Sequence, residues 1–262
     1  MDGNVVGVNS AIYSPSGGSV GIGFSIPSNL VRDVVAQLRA HGTLQRGWIG
    51  VRIQAVTSDL AEGLGLPSAM GALITDVTAK GPAAKAGIAN GDVVLAFDGK
   101  TVTDSRALPR IVADTPIGKT VPVDVLRKGH KQTVRLQVLK LADEKPMRAP
   151  SPQKAPSPPV KGKSKGSNLG LSLAAIDADA RAQFKLPKNL QGVLVTDVTP
   201  ESPAAEKNFR AGDVIVQVSG QNVRTPADVL QHIDADAKAG KKVELMLVNR
   251  GGDLAYVAVK LG

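Results

Sequence analysis

Hydrophobic alternation opens the chain. Residues 4–13 (NVVGVNSAIY) and 20–26 (VGIGFSI) carry β-branched and apolar residues at strand spacing, with the loop SPSGGS between them. The period then changes: Leu30, Val31, Val34, Val35 and Leu38 recur at helical spacing, with Ser28 at the capping position and Gly42 as the stop. Further on, 72–77 reads as a strand, 82–86 as a helical turn and 93–97 as a strand entered through a tight turn at Gly91-Asp92 and left through another at Asp98-Gly99. Residues 105–113 form a predicted helix with Leu108, Ile111 and Val112 on one side. Residues 121–127 and 133–139 alternate as strands about Lys128-Gly129. Pro109 fits that helix poorly: one turn after Ser105 it costs a hydrogen bond unless the helix begins there.

The pattern then repeats. LITDVTAKGPAAKAGIANGDVVLAFDG, from Leu73 to Gly99, returns as LVTDVTPESPAAEKNFRAGDVIVQVSG, from Leu194 to Gly220. Leu73 and Leu194, Pro82 and Pro203, Asp92 and Asp213, and Gly99 and Gly220 share one offset of 121 residues. Solenoid units run about 20–50 residues, so each copy is large enough to be a domain with its own core. The repeated Gly, Pro and Asp residues have a structural explanation as turn chemistry. The organisation read from the chain is a segment 1–46, a first copy 47–141, a Pro/Lys/Ser-rich linker 142–167 and a second copy 168–262.

Composition narrows the functional classes. Hydrophobic residues make up 42% and aromatic ones 3%, so the cores rest on Val, Leu, Ile and Ala. Absence of Cys excludes a disulfide scaffold and a cysteine nucleophile, and no metal site or cofactor is expected. Of the net charge of +9, six charges lie at Lys145, Arg148, Lys154, Lys161, Lys163 and Lys165, with no acid between them. The basic balance therefore belongs to the linker, and with few aromatics to stack bases no nucleic-acid partner is expected. That linker reads as an extended, partly polyproline spacer; Pro156 and Pro159 match a PxxP pattern that carries little weight beside it. No apolar run approaches the ~18 residues of a membrane helix, so no membrane insertion is expected. MDGNVVGVN has neither a basic nor an apolar leader region, so the chain as given is expected to lack a signal peptide. Two strands and a helix in residues 1–46 cannot bury a self-sufficient core, and the chain reads as beginning within a domain.

Each copy opens on an apolar stretch with a Gly: Trp48-Ile49-Gly50-Val51 and Asn168-Leu169-Gly170-Leu171. Followed by GxxVxxVxxxSPAxxAGxxxGDxIxxxxG, this resembles the PDZ domain in the arrangement of bacterial proteases. The resemblance implies an α+β, mainly β fold: two small β-barrel-like sandwiches with two helices each. It also implies that the loop amides of Ile49, Gly50 and Val51, and of Leu169, Gly170 and Leu171, bind a peptide's terminal carboxylate. The peptide would add beside 51–56 or 171–175. Its last side chain would enter a pocket of Ile53, Leu108 and Val112, or of Leu173, Val229 and Ile233.

Residues 3–51 resemble the end of the trypsin-like domain of the HtrA/DegP serine endoproteases, where PDZ domains follow. That implies a remnant of the catalytic β-barrel in 1–46, a periplasmic setting for the family, and unfolded or misfolded polypeptides and peptide C-termini as partners. It also implies homo-oligomers, formed mainly through the protease domain. The family's His-Asp-Ser triad has no counterpart here. His41 and His232 lie in or near predicted helix ends and His130 in a hairpin turn, and none stands a domain's length ahead of a Ser motif. Ser16-Gly17-Gly18 mimics a nucleophile motif, with only fifteen residues before it. Asp177, Asp179, Asp234 and Asp236 lie in helix or turn contexts and make no acid/base pair. The expectation is a tandem peptide-binding module without catalysis of its own; the alternatives are a fragment of an active endopeptidase whose catalytic half is missing, and a chaperone-like scaffold.

Overall fold

The opening alternation forms an antiparallel hairpin, β1 (Gly7–Tyr13) and β2 (Ile22–Pro27), followed by α1 (Ser28–His41), which packs on both strands. Ser28 is the first helical residue and not the cap: Pro27 holds the N-cap position and makes no side-chain hydrogen bond there. Gly42 ends the helix in the left-handed region, its N–H donating to the Leu38 carbonyl at 2.8 Å. The structure is a computed structural model that describes residues 3–14, 17, 20–141, 165–166 and 169–261. Ser16, Asn168, and the linker with Pro156 and Pro159 up to residue 164 lie outside the described residues, as does the side chain of His41.

The first copy runs β3 (Gly47–Trp48), β4 (Val51–Ala55), α2 (Ser58–Leu64), β5 (Ala72–Val77), α3 (Pro82–Lys85), β6 (Val93–Phe97), β7 (Lys100–Thr101), α4 (Ala107–Ala113), β8 (Thr120–Arg127), β9 (His130–Gln137) and β10 (Leu139–Lys140). Its sheet has the order β4-β5-β6-β8-β9, with β7 on β6, and β3 pairs separately with β10. The second copy runs β11 (Lys165–Gly166), β12 (Leu171–Ala175), α5 (Ala178–Gln183), β13 (Val193–Val198), α6 (Pro203–Glu206), β14 (Val214–Val218), β15 (Gln221–Asn222), α7 (Pro226–Lys238), β16 (Val243–Arg250) and β17 (Asp253–Lys260). Its order is β11-β12-β13-β14-β16-β17, with β15 on β14.

Among the described residues each copy thus carries three helices where two were expected. The additional ones, α2 and α5, are short, but their start signals are present: Thr57 Oγ1 accepts from Leu60 N–H at 3.3 Å and Asp177 Oδ1 from Ala180 N–H at 2.7 Å. α4 begins at Ala107, so Pro109 sits in the first turn, where its missing N–H would have had no intrahelical acceptor. His232 lies in the middle of α7 and not near an end.

Period two places the cores. In β8, Val121, Val123 and Val125 are buried and alternate with exposed residues; they join Ile74, Val94 and Leu136 in the first core. Leu73 and Val93 point the other way, as do Leu194 and Val214 in the second copy. Central strands with apolar residues on both faces read as continuous runs, as ALI and VLV do here. In the second copy, Leu194 and Val214 are covered by Ala180, Phe184 and Leu186 of the same copy. In the first, Leu60, Leu66 and Leu73 share a core with Leu247, Tyr256 and Ala258 of the second. The two copies therefore dock, with α2 lying against β16 and β17.

Candidate functional site

The loop ahead of β4 is set by its carbonyls. Ile49 O accepts from Ala83 N–H at 2.9 Å, and Gly50 O from Thr78 N–H at 2.9 Å. Across a trans peptide the following N–H points opposite the carbonyl, so the amides of Gly50 and Val51 face away from the domain. The second copy repeats this: Leu169 O accepts from Ala204 N–H at 3.2 Å and Gly170 O from Thr199 N–H at 2.8 Å, turning the Gly170 and Leu171 amides outward. Two successive outward amides form a cradle for an anion.

Glycine is required here by the backbone. Gly50 has φ +76° and Gly170 φ +81°, where side chains are strained. A Cβ on Gly50 would lie 3.1 Å from the Trp48 ring, and one on Gly170 only 2.2 Å from Ser202 Cβ. Trp48, packed against Gly50 and Gly81, thus shapes the loop. As the only Trp of the chain it was visible in the sequence, but nothing there gave it that role.

β4 ends its sheet, and among the described residues no strand pairs with its outer edge. Val51 and Ile53 are half-buried against the first core, and α4 presents Leu108 and Val112, four apart on one face, at 1% and 5% exposure. Ile49, Val51, Ile53, Leu108 and Val112 therefore meet in the first core, with Gly50 between the first two in the chain. In the second copy Leu171, Leu173, Val229 and Ile233 share one core and are all buried. The edge of β12 is paired with β11. Every side chain predicted for these pockets is aliphatic. Among the described residues no group of three His, Asp or Glu is placed to hold a metal ion.

Two residues absent from the predicted set hold the frame. Asp92, 1% exposed, receives Arg127 Nε at 2.7 Å and Nη2 at 2.6 Å, while its Oδ2 accepts from Ala89 N–H at 2.9 Å. Asp213 and Arg250 repeat the fork at 2.7 and 2.6 Å. The Gly-Asp turns read as turn chemistry thus also hold buried carboxylates paired with half-exposed arginines. Their carboxylates hold the guanidinium of Arg127, and that of Arg250, above the usual arginine range.

Comparison with known proteins gives the family. A family model described as PDZ domain matches residues 47–138 and 167–261. A probable periplasmic serine endoprotease, DegP-like, of Brucella suis is 38% identical over 261 residues, 100% of this chain and 48% of the relative. One of the same description from Rhizobium meliloti is 38% identical over 262 residues, 100% of this chain and 50% of the relative. A variant of the HtrA-type protease AlgW, solved with a decapeptide, superposes with TM-score 0.51 at 41% identity, covering 56% of this chain and 44% of that one. The chain spans about half the length of the curated relatives it matches. With two PDZ matches and a relative aligned along its whole length, the chain belongs to the PDZ domain family, in the form of the C-terminal PDZ region of HtrA/DegP proteins.

Proposed function

We propose that this chain is a peptide-binding module that captures the C-termini or extended segments of unfolded polypeptides. The observation carrying this is the open edge of β4 beside the outward amides of Gly50 and Val51, with the half-buried Val51 and Ile53 leading to Leu108 and Val112. A peptide's carboxylate would meet the amides of Ile49, Gly50 and Val51, its backbone would pair with β4, and its last side chain would lie against Ile53, Leu108 and Val112. The second copy repeats the loop with Leu169, Gly170 and Leu171. Titration with a decapeptide ending in an apolar residue, free acid against amide, tests the reading. Binding of the free acid at least tenfold tighter is expected; equal affinity removes the carboxylate loop from the account.

A second reading is favoured by residues 1–46. Val6, Ile22 and Phe24 are 85%, 62% and 52% exposed, faces of the kind left when a barrel's other strands are elsewhere. On this reading the module serves a longer periplasmic serine endoprotease, as the relatives are named, whose catalytic half and oligomer contacts precede residue 1. An open reading frame upstream of Met1 encoding GNSGG supports it. The chain by itself is expected not to cleave unfolded casein, and cleavage lost on Ser16→Ala would overturn that.

A further inference from the structure

We propose that the peptide edge of the second copy is closed by the chain's own Lys165–Gly166, so that a C-terminal peptide enters that groove only by displacing this segment. The inference rests on the reading of the grooves as peptide sites, and it makes the two sites unequal. β11 lies antiparallel on β12, with Lys165 opposite Leu173 and Gly166 opposite Ser172. A peptide with its carboxylate at the Gly170 and Leu171 amides also runs antiparallel to β12, and its last residues fall at the same positions. A strand edge has one row of donors and acceptors, so the two occupants exclude each other.

On the strands burial follows the pairing, while on the helices Leu108 and Val112 are as buried as Val229 and Ile233. Leu171 and Leu173 are 1% and 0% exposed, whereas their counterparts Val51 and Ile53 on the open edge are half-buried. The segments that enter the two loops are also held differently. In the first copy Gly47 and Trp48 pair with Lys140 and Leu139, and Arg46 O accepts from Leu141 N–H at 3.0 Å, which holds the entering segment on β10 and off β4. In the second copy Lys165 and Gly166 lie along the edge itself. A tethered strand competes at an effective concentration on the order of millimolar, so a micromolar peptide fills the first groove well before the second.

The test uses the full chain and a decapeptide with a free, apolar C-terminus. Calorimetry should give one site per chain. Lys165→Pro combined with Gly166→Pro removes the backbone donors of the segment, and this variant should show a second site with at least tenfold gain in affinity there. Hydrogen exchange without peptide reads the closure independently: β12 should lose protection in the double-proline variant while β4 keeps the rates of the wild type. Equal exchange of β12 in the two proteins overturns the closure, even if no peptide binds. Two equal sites in the wild type overturn it as well, and so does a double-proline variant that exposes β12 yet still binds one peptide. Loss of all binding with the exchange pattern intact counts against the peptide-binding reading and leaves the closure standing.

Discussion

Gln54 and Tyr256, 202 residues apart, are joined by two hydrogen bonds: Tyr256 N–H donates to Gln54 Oε1 at 2.8 Å, and Gln54 Nε2 donates to Tyr256 O at 2.8 Å. One carboxamide makes the pair of bonds that a neighbouring strand would make to the free edge of β17. Arg52, also on β4, adds an exposed ion pair to Asp253 at 2.5 Å. The strand whose outer edge is left unpaired thus turns Arg52 and Gln54 to the second copy. Gln54→Leu leaves the Tyr256 backbone pair unmet in a partly buried place, at a cost of about 1–2 kcal/mol to docking. On Gly63 of α2 a Cβ would lie 2.8 Å from Leu245 Cγ, so Gly63→Leu should part the copies more completely. Nitrogen-15 relaxation checks this: one shared correlation time in the wild type, and shorter, separate ones in the variants. An unchanged correlation time in Gly63→Leu would refute the interface.

The carboxylate loop gives a second prediction. Gly50→Val places a β-branched residue at φ +76° against Trp48 and should weaken binding of a free C-terminal peptide by at least about 1.4 kcal/mol, a tenfold loss. Because the substitution also strains the fold, the unfolding midpoint is measured alongside. A variant that stays folded and binds as tightly as wild type contradicts the loop's role.

Glu244 introduces a pH dependence into the second copy. It is 0% exposed, opposite Val259 on β17, and takes the place that Val121 holds opposite Leu136 in the first copy. Ser219 Oγ lies 2.7 Å from its Oε1 and 2.5 Å from Asp236 Oδ2, and Lys241 donates to Asp236 at 2.8 Å. Oε2 is buried and has no partner among the described residues. Burial, aided by the charge of Asp236 and opposed by Ser219 and Lys241, pushes the Glu244 carboxyl up to about 7 from an ordinary 4.5. The folded protein then holds a proton that the unfolded chain releases. Stability from this group is full below about pH 4.5 and is lost as pH rises to about 7, by on the order of 3 kcal/mol. Urea midpoints at pH 5 and pH 8 should differ in the wild type and converge in Glu244→Gln. An equal fall in both proteins would assign the effect to another group.

The buried forks support both copies. Asp92→Ala strands Arg127 and the Ala89 amide, and Asp213→Ala does the same to Arg250 and the Arg210 amide. Removing one partner of a fully buried pair costs about 3–5 kcal/mol; with the Arg127 side chain 31% exposed and that of Arg250 47%, about 2 kcal/mol is expected. Thermal unfolding of each variant measures this, and a change below about 0.5 kcal/mol would reduce the pair to a surface contact.

What the sequence alone determined here is local. The Lys128-Gly129 turn, with φ of +48° and +80°, and the alternation of Val121, Val123 and Val125 each depend on neighbours a few residues away. So do the Gly50 loop and the α4 face with Leu108 and Val112, and all of these were legible. What the tertiary structure decided is non-local. Leu73 and Leu194 occupy equivalent positions in the repeat, yet the first is covered by its own α2 together with the second copy and the other by its own copy alone. The fork of Asp92 joins residues 35 apart, and a Gly-Asp turn reads the same with or without its arginine. The edges of β4 and β12 follow loops of one design, and the pairing of Gly47–Trp48 with β10 but of Lys165–Gly166 with β12 leaves the first open and covers the second. A strand's own residues specify which way its side chains alternate, but its edge groups accept any backbone that reaches them, so the occupant is chosen by the rest of the fold.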